Sequence, residues 1–341
     1  MAWAGPRLNV YLSDEWSQKM RLSRLGILVL ILITVLVGAN CSYYNRIIAR
    51  KDLVDGSKAY KDRKFQEAEN LFRAAVARDP DGKTTEGQTA QLFLARTLHS
   101  EFIGNRQRTD LAQEAIKEYK KALSNNNNDQ SSYKAIASLY ENLGMSDDWL
   151  KWVTARANDQ AALPQYRAEA LTSLAAKQNT CANDITDTDQ TKKTITVAGK
   201  KEFQFVKPAN PDDFTKLKQC VDDGTKLVDQ ALALETDQVK NAKSLNVKSL
   251  TDEQLKTNSD LLKVFESARS YKASLTIQAM RVAEMEGRTA DRDKLKSDAE
   301  TAKQSFLDLS EVVKNIQAEI DDRAAAKEAA NNPEAANATK K

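Results

Sequence analysis

The sequence predicts an all-α protein: a series of antiparallel helix pairs, with a small β-hairpin insertion and a long helical hairpin near the C-terminal end. Three observations predict it. Gly (11) and Pro (6) are scarce in 341 residues, which argues against a loop-rich β fold. Aromatic residues make up 6% and charged residues 29%, with Ala, Lys, Gln and Leu abundant, the composition of long solvated helices. Apolar residues also recur at helical spacing in units that repeat along the chain.

The first element stands apart. Leu25–Ala39 reads LGILVLILITVLVGA, an uncharged run of about 15 residues preceded by Lys19, Arg21 and Arg24. It is shorter than the roughly 20 residues of a comfortable membrane span and has the length of a signal-peptide apolar region. Met20-Arg21 has the form of a natural start, which makes 1–19 an upstream extension and 20–41 a signal peptide or N-terminal anchor. Three fates compete: cleavage after Ala39, with Val37 and Ala39 as the small pair; lipid attachment at Cys41; or retention as an anchor, the Arg-flanked end in the cytoplasm. A bacterial lipid-attachment motif wants a small residue before the Cys, and Asn40 stands there. All three place the bulk of the chain outside the cytoplasm, in the cell envelope; the alternative is a buried core helix.

The second element is a repeat. Val54–Pro80 reads VDGSKAYKDRKFQEAENLFRAAVARDP, with Gly56, Ala59, Tyr60, Phe65, Ala68, Phe72, Ala75 and Pro80 in order. Small residues allow close helix approach, an aromatic fills the gap to the next pair, and the proline stops the second helix. From about 88 to 127 the pattern returns, with Ala95 at the small position and Ala115, Tyr119 and Ala122 matching Ala68, Phe72 and Ala75. Here FIGNRQRTD lengthens the inner loop, and Asn125–Asn128 forms a solvated linker. A third pair opens with Tyr133, Ala137, Tyr140 and Gly144, but its second helix puts Trp149 and Arg156 where small residues belong, so its neighbour contact must differ. A fourth is split: RAEALTSLAAKQ, an insertion over 180–213, then a long helix with Gly224, Val228 and Ala231. Within the insertion, TITVAGKKEFQFVK alternates on both sides of Ala198-Gly199, a hairpin signal, with Ile195 and Val197 on one strand and Phe203 and Phe205 on the return.

These units resemble the tetratricopeptide repeat, well over residues 52–160 and loosely over 165–235. The resemblance implies an α-solenoid over 52–240 whose first helices line a concave groove that binds protein partners. Carried onto this chain, groove candidates are Ser57, Tyr60 and Lys61 in the first unit and Lys134, Ser138, Glu141 and Asn142 in the third, with Tyr60 the foremost as a semi-exposed aromatic anchor. It also invites comparison with bacterial repeat lipoproteins that assist outer-membrane barrel or pilus assembly.

The last element is a helical hairpin over 250–325. Thr251 to Gln254 has the form of a capping box. Leu261, Phe265, Ala268, Leu275, Ala279 and Val282 form one seam, broken at Lys272; Gly287 makes the turn and Thr289 is the expected N-cap. Leu295, Ala299, Ala302, Phe306, Leu309, Val313, Ile316 and Ile320 form the second seam. Two such seams suit a short coiled coil, and a structural spacer or homo-oligomer through this hairpin is the second functional expectation. The tail over 326–341 lacks apolar anchors and is expected to be disordered.

The chemistry expected is contact, with no catalysis, cofactor or metal; the less favoured alternative is an enzyme subunit with a site in the insertion near Cys181. One His99 excludes multi-imidazole sites, three Cys leave no zinc cluster, and G-x-S-x-G, G-x-x-x-x-G-K and G-x-G-x-x-G are all absent. His99 falls at the expected end of a helix, beside the lengthened loop. Asp184, Asp187 and Asp189 lack the Gly and Glu of a calcium loop. Lys plus Arg (51) against Asp plus Glu (48) gives a net +3, which does not suggest nucleic acid. Cys181 and Cys220 bracket the insertion on helices expected to be antiparallel neighbours; outside the cytoplasm they can form a disulfide, and otherwise they are buried thiols.

Overall fold

The computed structural model describes Met1 and residues 43–331. The Leu25–Ala39 run, Cys41 and the chain beyond 331 lie outside them. The described chain is all-α apart from one β-hairpin, and divides into two units, Met1–Leu139 and Tyr140–Lys341.

The first unit holds α1 (residues 43–61), α2 (Phe65–Arg78), α3 (Thr85–Gly104), α4 (Thr109–Asn125) and most of α5 (Gln130–Asn142). Small residues set its spacing. Ala68 and Ala75 are wholly buried, and a Cβ on Gly56 would lie 2.8 Å from the Phe72 ring. Phe72 in turn stacks on Phe93 of α3, ring centroids 5.5 Å apart, so one aromatic pair joins the first helix pair to the next. The α2–α3 connection is organised by Asp79. Its carboxylate accepts from the Lys83 N–H (3.0 Å), the Thr84 N–H (2.7 Å) and the Thr84 hydroxyl (2.7 Å). Burial works against the charged form, but these bonds outweigh it and hold the Asp79 carboxyl below its ordinary value.

Two details differ from expectation. The lengthened loop after Ala95 shrinks to Asn105–Arg108, because α3 continues through buried Phe102 to Gly104; His99 therefore sits inside the helix, not at its end. The asparagine run is a tight turn: the Asn126 side chain accepts from the Asn128 N–H at 3.1 Å, and Asp129 then holds Ser131 and Ser132 at the start of α5.

The second unit contains α6 (Ser146–Asn158), α7 (Pro164–Thr186), β1 (Lys192–Val197), β2 (Lys200–Phe205), α8 (Pro211–Leu232), α9 (Asp237–Lys240), α10 (Asp252–Met285) and α11 (Thr289–Asn331). In α6, Trp149 and Arg156 are buried where small residues were expected, and Lys177 of α7 lies 4.8 Å over the Trp149 ring. The helix before the insertion does not stop near 180. It runs to Thr186, carried by buried Ala182 and Thr186, so the inserted segment proper begins at Asp187.

The hairpin pairs Thr194 with Phe203 and Val197 with Lys200, around Ala198 (φ 47°) and Gly199 (φ 78°). Two successive positive φ values are what a tight two-residue hairpin turn requires. Ile195 and Val197 lie on the face opposite Phe203 and Phe205, so neither face is continuously apolar; Phe205 alone is buried.

The C-terminal hairpin is less independent than a coiled coil. α10 packs on α11, and also on α7 and α8. Its buried set is correspondingly broad, with Leu255, Leu262, Phe265, Ala268, Ala273, Leu275, Val282, Ala283 and Met285, and Leu262 takes the inward position expected of Leu261. Thr251 and Gln254 form the capping box. The second helix begins at Thr289 itself, one residue earlier than expected, so Arg288 is the residue before it. It also runs past 325 to Asn331, since Ala324–Ala326 and the residues after them favour helix without needing a packed face.

One turn recurs. Between α1 and α2, Arg63 (φ 59°) donates its N–H to Tyr60 O and Lys64 to Ala59 O. Between α5 and α6, Gly144 (φ 68°) donates to Glu141 O and Met145 to Tyr140 O; between α10 and α11, Gly287 (φ 72°) donates to Glu284 O and Arg288 to Ala283 O. Each is the paired Schellman closure with one left-handed residue. In each, the residue after it accepts the first bond of the next helix, from Ala68, Trp149 and Arg292 respectively.

Candidate functional site

The first helices of the first unit carry a connected row of half-buried side chains. Phe93 of α3 is its centre. Phe72 stacks on one side, the Tyr60 ring meets it edge-on at 6.1 Å, and the Arg96 guanidinium lies 5.4 Å from its centroid. Tyr60 reaches across from α1, its hydroxyl 3.0 Å from Ser100 Oγ. Arg96 reaches the other way, donating from Nη2 to Ser131 Oγ of α5 at 3.3 Å. Among the described residues Arg96 has no carboxylate partner, so its planar fork remains available to an acidic group.

The expected residues are distributed around this row. Ser57 is half-buried and donates to Leu53 O at 2.7 Å. Tyr60 is less an open anchor than a packing residue, with Phe65 also edge-on at 5.5 Å. Lys61 is exposed on α1, and Lys134 and Ser138 are exposed on α5. Glu141 and Asn142 are also exposed but belong to the second unit, where Glu141 accepts from Lys177 Nζ at 2.7 Å. The seven therefore form two sets. Phe93 and Arg96 are the residues sequence reasoning passed over. Arg96 follows Ala95 as Ser57 follows Gly56 and Ser138 follows Ala137, so the repeat register already pointed to it.

His99 contributes to packing. Its Nδ1 lies 3.4 Å from the Tyr119 hydroxyl and the rings meet edge-on. Burial, with the Arg106 charge adding, pushes the imidazole below its ordinary value; burial likewise pushes the Tyr119 phenol upward. Beside it, Arg73 ties Glu69 (2.7 Å) to Glu114 (2.8 Å), and burial together with the Glu69 charge pushes the Glu101 carboxyl up.

In the second unit, Cys181 of α7 and Cys220 of α8 are joined, with an S–S distance of 2.02 Å and Cα atoms 6.2 Å apart. The bridge lies in an apolar cluster with Ala182, Phe205, Leu217, Val221, Val282 and Met285. Phe205 fixes the hairpin there: its N–H donates to Glu284 Oε1 at 3.3 Å, and Arg281 covers its ring at 4.4 Å. Around Arg281 lies a polar knot. Thr186 Oγ1 bonds the Ala182 carbonyl, Gln278 Oε1 and Arg281 Nη1, and Gln278 reaches Asn183. Burial lowers the Arg281 pKa. This arrangement is structural: of its buried side-chain polar atoms, only Arg281 Nε lacks a hydrogen-bond partner among the described residues.

No family model and no curated protein matches the chain. Among solved structures, PilF of Pseudomonas aeruginosa is similar at 12% identity and a TM-score of 0.28, the match covering 74% of this chain and 99% of that one. A tetratricopeptide repeat protein from Parabacteroides merdae is similar at 12% identity and a TM-score of 0.29, covering 78% and 99%. Among the described residues no helix is long and apolar enough to cross a membrane.

Proposed function

We propose that this chain is a protein-interaction scaffold of the cell envelope, working by contact and not by catalysis. The Leu25–Ala39 segment would export it or hold it at a membrane, and the first-helix surface of the first unit would receive a protein partner. The observation that carries the reading is the Phe93–Arg96 pair: an aromatic ring fixed on three sides, with a guanidinium over it that forms no ion pair with a carboxylate among the described residues. Aromatic and Arg side chains on a rigid helical frame are what binding hot spots are made of. The partner this chemistry selects presents an acidic side chain or a chain-terminal carboxylate. The joined Cys181 and Cys220 support residence in an oxidising compartment.

The test is site-specific photocrosslinking in native membranes. A photoreactive residue at exposed Lys134 or Ser138 on α5, with Arg96 left in place, is expected to trap one common partner, whereas the same probe at Lys117, exposed on α4, traps none. Equal adducts from all three positions, or none from Lys134 and Ser138, would overturn the reading. Arg96→Glu is expected to weaken capture at least about tenfold, and Arg96→Lys to recover only part of it, since Lys lacks the planar fork.

A further inference from the structure

α1 presents a second surface, on the side away from the helices it packs against. Its inner face is tied down: Ala49, Gly56 and Ala59 are buried, Asp52 pairs with Arg78 of α2 at 3.3 Å, and Arg46 pairs with Glu86 of α3 at 3.0 Å. The opposite face takes Tyr43, Ile47, Arg50, Val54, Lys58 and Lys61 at spacings of three and four, with Tyr44 and Lys51 alongside. All eight are exposed, Tyr43 at 68%, Tyr44 at 62% and Val54 at 60%. The face is therefore half apolar or aromatic and half cationic, with no carboxylate in the stripe; Asp55, at its margin, pairs with Lys51 at 2.9 Å.

We propose that this face of α1 lies flat on an anionic lipid bilayer. The inference rests on the membrane-attached reading above. Three features select lipid over a protein partner. Interfacial helices carry Lys and Arg beside aromatic and aliphatic side chains, with little hydrophobicity overall, as this one does. Tyr is favoured at the level of the lipid headgroups. The apolar run ends at Ala39, and four residue steps, at most about 14 Å of extended chain, separate it from Tyr43. A run seated in hydrocarbon therefore delivers Tyr43 and Tyr44 to the headgroup layer. A helix standing upright would lift Val54 about 16 Å and Lys61 about 27 Å away from Tyr43, leaving half the stripe unused. Lying flat, it brings the apolar side chains and all four flanking cations to the surface together, where anionic headgroups attract them.

The test uses the full chain reconstituted in vesicles of zwitterionic lipid with about one third anionic lipid, a content chosen to give a strong surface potential. A genetically encoded fluorophore is placed at Ile47, Val54 or Lys117, with quenchers on lipid chains just below the headgroups. All three positions are exposed, so no probe enters the core. Probes at Ile47 and Val54 are expected to be quenched alike, at least twofold more than at Lys117, and Lys58→Glu with Lys61→Glu to halve quenching at Val54. Quenching at Ile47 without Val54 means an upright helix and overturns the proposal, as does shielding of Val54 that persists without quencher lipid, which means a protein or second copy covers the face. Equal quenching in purely zwitterionic vesicles overturns the anionic requirement. Alkaline extraction of the same vesicles separates the two levels: a chain that leaves the pellet removes the membrane-attached reading and this proposal together, whereas a chain that stays while Val54 is unquenched removes only the proposal.

Discussion

At the residue scale, His99 shows how a packed repeat treats a titratable group. Its folded pKa lies below the ordinary 6.5, chiefly from burial. Below that pH the unfolded chain binds more protons than the folded one, so stability rises with pH and is lost on acidification. Between about pH 7.5 and 5.5, a range spanning the free imidazole value, the wild type is expected to lose more stability to urea than His99→Gln. The upward-shifted Glu101 works in the opposite sense, but equally in both proteins. Arg63 is a second case. It holds the left-handed turn position that Gly occupies at 144 and 287, and such a conformation costs a side-chain-bearing residue about 1–2 kcal/mol. Part of that is offset by the freedom Gly has when unfolded. Arg63→Gly is therefore expected to stabilise the first unit by up to about 1 kcal/mol, read as a rise in urea midpoint at unchanged slope.

At the element scale, helix pairs are set by where small residues let backbones approach. Gly56→Val gains helix propensity and places atoms against Phe72, whose ring is wholly buried and stacked on Phe93. The ring cannot yield without breaking the link between successive pairs, so the variant is expected to lose about 1–3 kcal/mol by overpacking, measured by thermal unfolding. This logic was legible in the sequence because Gly56, Ala68, Phe72 and Ala75 are local and periodic. What escaped was not periodic. The extension of α3 to Gly104 depends on Phe102 finding a pocket, and that of α7 to Thr186 depends on Ala182 joining the apolar cluster around the bridge and on Thr186 meeting Gln278, 92 residues beyond it. Likewise, the coiled-coil expectation for α10 followed from its own spacing and could not register that α7 and α8 also occupy its surface. The candidate site was half legible. Register reaches Ser57, Lys134 and Arg96 alike, but the stacking of Arg96 on Phe93 is a contact between side chains that spacing alone does not show.

At the scale of the whole molecule, the two units should respond separately to reduction. The Cys181–Cys220 bridge closes a loop with sequence separation 39 inside the second unit. A loop of that size restricts the unfolded chain by about 3–4 kcal/mol in the chain-entropy model. Reductant is expected to speed hydrogen exchange in α7, α8 and α10 while leaving α1 to α4 unchanged; equal acceleration throughout would show that the units do not unfold independently. The shared turn has a consequence of another kind. In all three hairpins the closed end is built alike, by one left-handed residue and two hydrogen bonds, although the helices leaving it differ widely: α5 and α6 have 13 residues each, α10 has 34 and α11 has 43. Helices that diverge from a fixed joint are in register from that joint outward. Turns can then be added or trimmed at the open end without disturbing any contact already made, so the span of such a pair is free to drift by whole heptads while its angle of departure stays constant. Growth from a common fastening lets one design supply both a compact repeat and a long terminal arm.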